Sequence, residues 1–182
     1  MYFFIKIIKK TFCLFFFFSV NAQEMNINNL ISQNNEWEFI SDQVMGGVSF
    51  GKKQFFIEEG HQCLRLTGFV SLENKGGFIQ IRHKLIKKNI SADGISIRAR
   101  GNDQEYRIHI RTKYTLLPWQ YYSSSFIVNQ EWKDINLNLK EFKRSGLLLP
   151  KNINSNNIVS IAIVAFGKEY KVRIEVSEIS FF

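Results

Sequence analysis

The sequence predicts an all-β domain, a sandwich or barrel of short strands. Apolar and polar residues alternate with period two through most of the chain. Gly, Asn, Asp and Lys separate the alternating runs, and no apolar pattern of helical period persists over an ordinary helix length. At 182 residues the chain is long enough for one domain with a substantial core.

The first 22 residues read as an export signal. Lys6, Lys9 and Lys10 form a basic start, "TFCLFFFFSV" is a short apolar run, and Val20-x-Ala22 is the small-residue pattern before a cut after Ala22. The run is too short to span a bilayer, which takes about 20 apolar residues; an uncleaved anchor that also uses "MYFFIKII" is the alternative. The expected location is outside the cytoplasmic membrane, periplasmic or secreted, with no stable membrane insertion after cleavage. Cleavage removes three lysines and no acid, leaving 21 basic against 16 acidic residues, net +5. That balance permits an acidic partner, a glycan or an anionic membrane and demands none of them. Cys13 leaves with the signal, so Cys63 stands alone and no internal disulfide is expected. Residues 23–35 read as a polar lead-in, and the domain is expected over 36–182.

Residues 41–53, "SDQVMGGVSFGKK", place Gly46, Gly51 and Lys52 at the spacing of a phosphate-binding loop. Such a loop opens a helix whose N-terminus holds the phosphates, and a Ser or Thr after the Lys takes Mg²⁺. Here Lys53 holds that position, and "QFFIEEG" alternates as a strand into a turn. No nucleotide is expected. Gly46 and Gly47 read instead as a structural corner: glycine allows positive φ or close backbone approach, Asp42 closes an Asx turn, and Val44 and Met45 fill the core beneath. Gly76 and Gly77 read as a bend that turns Phe78 into the core. Strands follow in "CLRLTGFVSL", "GFIQIRHKL", "GISIRAR", "EYRIHIRT", "YYSSSFIV", "WKDINLNL", "VSIAIVAF" and "KVRIEVSEISFF". "IAIVAF", apolar on both faces, reads as a central covered strand. "LKEFKRSG" is the one candidate for a turn or two of helix.

Several of these segments, in order, resemble the complex I intermediate-associated protein family. Its Trp and D-x-V-M-G-G-x-S signature corresponds to Trp37, Asp42, Val44, Met45, Gly46, Gly47 and Ser49. Its L-x-N-x-G-G-F segment corresponds to Leu72, Asn74, Gly76, Gly77 and Phe78. Its D-G, R-x-x-G and Tyr pattern corresponds to Asp93, Gly94, Arg98, Gly101 and Tyr106, and its later aromatics to Tyr122, Phe126, Trp132 and Phe142. The resemblance covers roughly residues 36–182. It implies a galactose-binding-like jelly-roll β-sandwich of antiparallel strands. It also implies a binding module similar to complex I assembly or chaperone-like factors rather than an enzyme.

The residues themselves offer catalysis little. His61, His83 and His109 lack metal-ligand spacing, and Cys63 reads as a small packing residue in a strand. Asp42, Asp93 and Glu178 are possible ligands for a structural calcium, wherever the fold brings them together. No catalytic residue, metal or cofactor is expected. Residues 94–112 read as a hairpin with a tight turn at "GNDQ", pairing Arg98 with Arg107 and Ser96 with His109. Its outer face would carry Arg98, Arg100, Arg107, His109 and Arg111, with Tyr122 nearby, as a candidate binding site. Either Tyr121 or Tyr122 must face outward. The expected partner is another protein, an acidic one fitting this face. A glycan stacked on exposed aromatics is the alternative, and nucleic acid is not expected. Asn89 opens an N-x-S sequon.

Overall fold

The computed structural model describes residues 29–32, 37–86 and 90–182. The expected export signal and the Asn89 sequon lie outside them. Among the described residues, eleven strands form two antiparallel sheets. In chain order these are β1 (Trp37–Ser41), β2 (Phe50–Glu58), β3 (His61–Val70), β4 (Phe78–Lys84), β5 (Gly94–Gly101) and β6 (Gln104–Thr112). They continue as β7 (Tyr122–Val128), β8 (Lys133–Asn138), β9 (Lys143–Arg144), β10 (Ile158–Phe166) and β11 (Tyr170–Phe181). One sheet runs β1-β4-β10-β6-β7-β9 and the other β2-β3-β11-β5-β8. "LKEFKRSG" supplies a single 3-10 turn at Leu139–Glu141 and then β9.

Alternation builds the core. Ile79 and Ile81 of β4, Ile161 and Ile163 of β10, and Tyr106, Ile108 and Ile110 of β6 meet Leu64, Leu66, Ile95, Ile97, Ile174 and Val176 of the other sheet. "IAIVAF" lies in β10 between β4 and β6, and its outward Ala162 and Val164 are also buried. The chain end is held in the sheet, since Phe182 exchanges backbone hydrogen bonds with Gly94. Part of the polar lead-in joins the core as well. Leu30 and Ile31 are buried, and Asn29 bonds Ser177 and Ile179 of β11.

The hairpin expected at 94–112 does not form. β5 pairs with β11 and β8, whereas β6 pairs with β10 and β7. The turn at 101–104 carries the chain from one sheet to the other. Ile95, Ile97 and Ala99 then face the apolar side of β6 across the core rather than lying beside it. Period-two alternation is the same in both arrangements, so the sequence pattern does not distinguish them.

Candidate functional site

Asp42 organises the glycine-rich corner. It is fully buried in the 3-10 turn Asp42–Met45. Its carboxylate accepts hydrogen bonds from the N–H of Ser49 (2.9 Å), the Ser49 hydroxyl, and the N–H groups of Gly77 (2.6 Å) and Phe78 (3.3 Å). Burial alone would raise its pKa, but these hydrogen bonds outweigh it and hold the carboxyl below its ordinary value. Gly46 closes the turn at φ +88°. A side chain at Gly47 or Gly76 would collide with the Asp42 carboxylate. The glycines thus make room for a buried anion that is already ringed by donors, an environment that repels a phosphate. Gly51 and Lys52 lie inside β2 with no helix after them.

Three expectations around this corner need correction. Asp42 does not close an Asx turn, since its carboxylate accepts from Ser49, Gly77 and Phe78 and not from its own turn. Val44 and Met45 do not fill the core; they are 73% and 64% exposed, because the turn spends its inward position on Asp42. Nor does Phe78 enter the core. It is half-buried on the outer face, and Ile79 takes the inward place. Trp37 is a core residue whose Nε1 donates to Leu30 O at 3.0 Å.

The residues expected to share one cationic face fall on two. Arg98 and Arg100 lie on the outer face of the five-stranded sheet, where each is matched to acid. Arg98 Nη1 reaches both Asp134 oxygens at 3.0 and 3.1 Å. Glu175 of β11, 1% exposed, accepts from Arg100 Nε at 2.6 Å, Arg65 Nε at 2.7 Å and Arg173 Nη2 at 3.4 Å. Arg100 also meets Glu58 at 3.0 Å and lies over Trp132, while Arg65 lies over Phe56. Burial pushes the Glu175 pKa up, yet Arg100 and Arg65 more than reverse this and hold the carboxylate charged. These arginines serve the sheet.

Arg107, His109 and Arg111 lie on the outer face of the six-stranded sheet. Register places His109 and Arg82 on either side of Ala162, Arg107 and Gln80 on either side of Val164, and Arg111 and Lys84 on either side of Ser160. The floor between two rows, each carrying two cations, is therefore built of small side chains. His109 stacks on Tyr121 with ring centroids 4.0 Å apart and meets Phe166 edge-on, and Arg107 lies over Phe166. Burial, with Arg107 adding repulsion, pushes the His109 pKa down to about 3. The imidazole is neutral at ordinary pH. Arg82 Nε, Arg107 Nε and His109 Nε2 are buried without a hydrogen-bond partner among the described residues. Glu38 and Glu105 answer Arg82 and Arg107 from the margins, at 2.8 and 3.5 Å.

Tyr122 is not on this face. It is 1% exposed, points into the core, and donates its hydroxyl to Pro150 O at 2.9 Å. Tyr121 takes the outward place. Arg82 escaped the sequence reading, and Tyr121 stood there only as the alternative to Tyr122, because their relation to His109 depends on which strands are neighbours. Among the described residues, no group of three His, Cys, Asp or Glu is placed to hold a metal ion.

A family model described as complex I intermediate-associated protein 30 matches residues 24–176. The chain belongs to that family. The family's Asp and glycine signature is the corner just described, and in this chain it forms a fold-building cradle. No curated protein sequence matches the chain. Among solved structures, it is similar to the family 11 carbohydrate-binding module of a cellulosomal cellulase from Clostridium thermocellum, at 15% identity and TM-score 0.66, covering 81% of this chain and 87% of that one. The same module in complex with a β-1,3-1,4-mixed-linked tetrasaccharide matches at 15% identity and TM-score 0.66, covering 81% and 89%. An exo-β-agarase matches at 8% identity and TM-score 0.55, covering 86% of this chain and 25% of that one. At such identities the likeness is one of fold: this member of the intermediate-associated family is a galactose-binding-like β-sandwich.

Proposed function

We propose that this chain is a non-enzymatic binding module exported to the cell envelope, with an assembly or chaperone-like role. Its binding surface is the outer face of the six-stranded sheet, and its partner is an acidic protein segment. The observation that carries this is the pair of guanidiniums of Arg82 and Arg107, 24% and 34% exposed and each met by one flanking acid, on either side of a small-residue floor. The guanidinium N–H groups that reach solvent can donate to the oxygens of an acidic segment, with charge assisting each bond. The family's tie to complex I intermediates supports a protein partner in a membrane-assembly setting.

The test is capture of partners from an envelope fraction by wild type and by Arg82→Ala/Arg107→Ala, at low and high salt. A defined protein retained by wild type, lost from the variant and weakened by salt supports the reading. Equal capture by both would end it. A glycan is the second reading, favoured by the His109–Tyr121 stack on the same face and by the fold shared with a module solved on a tetrasaccharide. Retention on soluble β-1,3-1,4-glucan that Tyr121→Ala abolishes would select it.

A further inference from the structure

The end of the six-stranded sheet opposite the Asp42 corner carries two apolar loops. Register sets this geometry: Phe78, next to the corner, pairs with Phe166, while Lys84 and Arg111 pair with Ser160 at the far end. There β6 leads into the loop at 113–121, and β9 leads into the loop at 145–157. Leu116 and Trp119 in the first are 82% and 67% exposed, and Leu147 and Leu148 in the second are 86% and 92% exposed. Single exposed leucines are ordinary, but four large apolar groups on two adjoining tips are a surface feature.

The tips are held in place. Arg111 donates to the carbonyls of Thr115 at 2.8 Å and of Leu117 and Pro118 at 3.1 Å. Arg144 donates to the carbonyls of Leu147 at 3.0 Å and Leu149 at 2.6 Å. The Ser145 hydroxyl joins the loops, donating to Trp119 O and accepting from Tyr121 N, both at 3.0 Å. Leu149 anchors the second loop in the core. Backbone carbonyls already satisfied inside the loop can leave water at little cost, which is what entry into a lipid interface requires.

Charge points to the same surroundings. The sequence has no acid between Glu105 and Glu131 or between Glu141 and Glu169, and Lys113, Lys143, Arg144 and Lys151 flank the tips. Exposed Leu and Trp surrounded by Lys and Arg are the components of interfacial adsorption. Indole and leucine enter the boundary between headgroups and acyl chains, and the cations meet lipid phosphates. We propose that these two loops are a peripheral docking site for an anionic lipid surface. The proposal does not rest on the partner face described above. Two protruding tips suit a deformable surface better than a preformed protein groove.

The experiment uses the full chain with vesicles of phosphatidylcholine alone, or of phosphatidylcholine and phosphatidylglycerol at roughly 7:3. Both carry brominated acyl chains that quench nearby indoles. Because the apolar run after Lys10 can itself adsorb to lipid, the readout is Trp119 emission and not sedimentation. Quenching is expected with the anionic vesicles, about tenfold stronger in partition than with the neutral ones. It should vanish in Trp119→Phe, which keeps Trp37 and Trp132, and the partition should fall about tenfold or more in Leu147→Ser/Leu148→Ser. Arg107→Ala, on the sheet face, should leave it unchanged, so this result and the partner assay fail separately. Unquenched Trp119 on anionic vesicles, or equal quenching in the double-leucine variant, would overturn the proposal. So would capture of a soluble protein by the tips in place of lipid.

Discussion

The two outer faces of the sandwich carry the same residue type in opposite circumstances. On the five-stranded sheet, Arg65, Arg100 and Arg173 converge on one buried carboxylate, Glu175, and Arg98 is held by Asp134. On the six-stranded sheet, Arg82 and Arg107 reach only marginal acids and keep a buried Nε unpartnered. An arginine whose donors are satisfied within the fold contributes to stability. One with fewer acids around it has N–H groups that the fold does not use, and the binding proposal rests on these. Sequence does not separate the two cases, because the acid that matters lies on another strand.

The largest expected effect that tests this contrast is at Glu175. Glu175→Gln leaves Arg65 and Arg100 facing each other without their anion. It should cost roughly 2–4 kcal/mol in urea unfolding, somewhat below a fully buried pair because both guanidiniums still reach solvent. A loss under about 0.5 kcal/mol would place Glu175 with ordinary surface charges and erase the difference between the faces.

His109 gives the next effect, as a function of pH. Its folded pKa lies at about 3 against an ordinary 6.5, so the unfolded chain binds the extra proton between those values. Stability attributable to neutral His109 is therefore complete above pH 6.5 and declines as pH falls toward 3. Asp42 and Glu175, both held below their ordinary values, lose their contribution only at lower pH. Between about pH 6.5 and 4.5, His109→Phe should remain roughly 2 kcal/mol flatter than wild type while keeping the ring stack on Tyr121. Parallel stability curves for the two proteins would show that the imidazole is solvated and the face open.

The smallest effects are the most discriminating. Arg98→Ala should change stability by no more than about 0.5–1 kcal/mol, as for an exposed pair, and leave partner capture intact. Arg107→Ala should leave stability within about 0.5 kcal/mol and weaken capture, most at low salt. Reversal of the two binding results would move the site to the five-stranded sheet.

Much of the fold was legible because burial writes itself as alternation. The inward residues of β5 and β6 and the covered strand β10 followed from that pattern alone. The pairing of strands did not, and the site went with it. Reading residues 94–112 as a hairpin joined Arg98 to Arg107, although they lie on opposite outer faces. Choosing Tyr122 over Tyr121 was a one-residue phase error that period two punishes fully, since neighbouring side chains point to opposite sides. The exposed Val44 and Met45 show a further limit: apolar character marks a residue as able to be buried, not as buried.

The Asp42 cradle has a consequence for how chains of this kind can be compared. One carboxylate fixes Ser49 by its hydroxyl and Gly47 and Gly76 by the space it occupies, and it binds the N–H of Gly77, where a φ of +137° calls for glycine. These positions cannot vary independently, so they will persist together wherever this sandwich is built in this way, whatever it binds. The letters by which the chain is recognised report its architecture. Divergence in ligand among relatives should instead be written at positions 82, 107, 109 and 121 and on the two loop tips, where no buried anion dictates the residue.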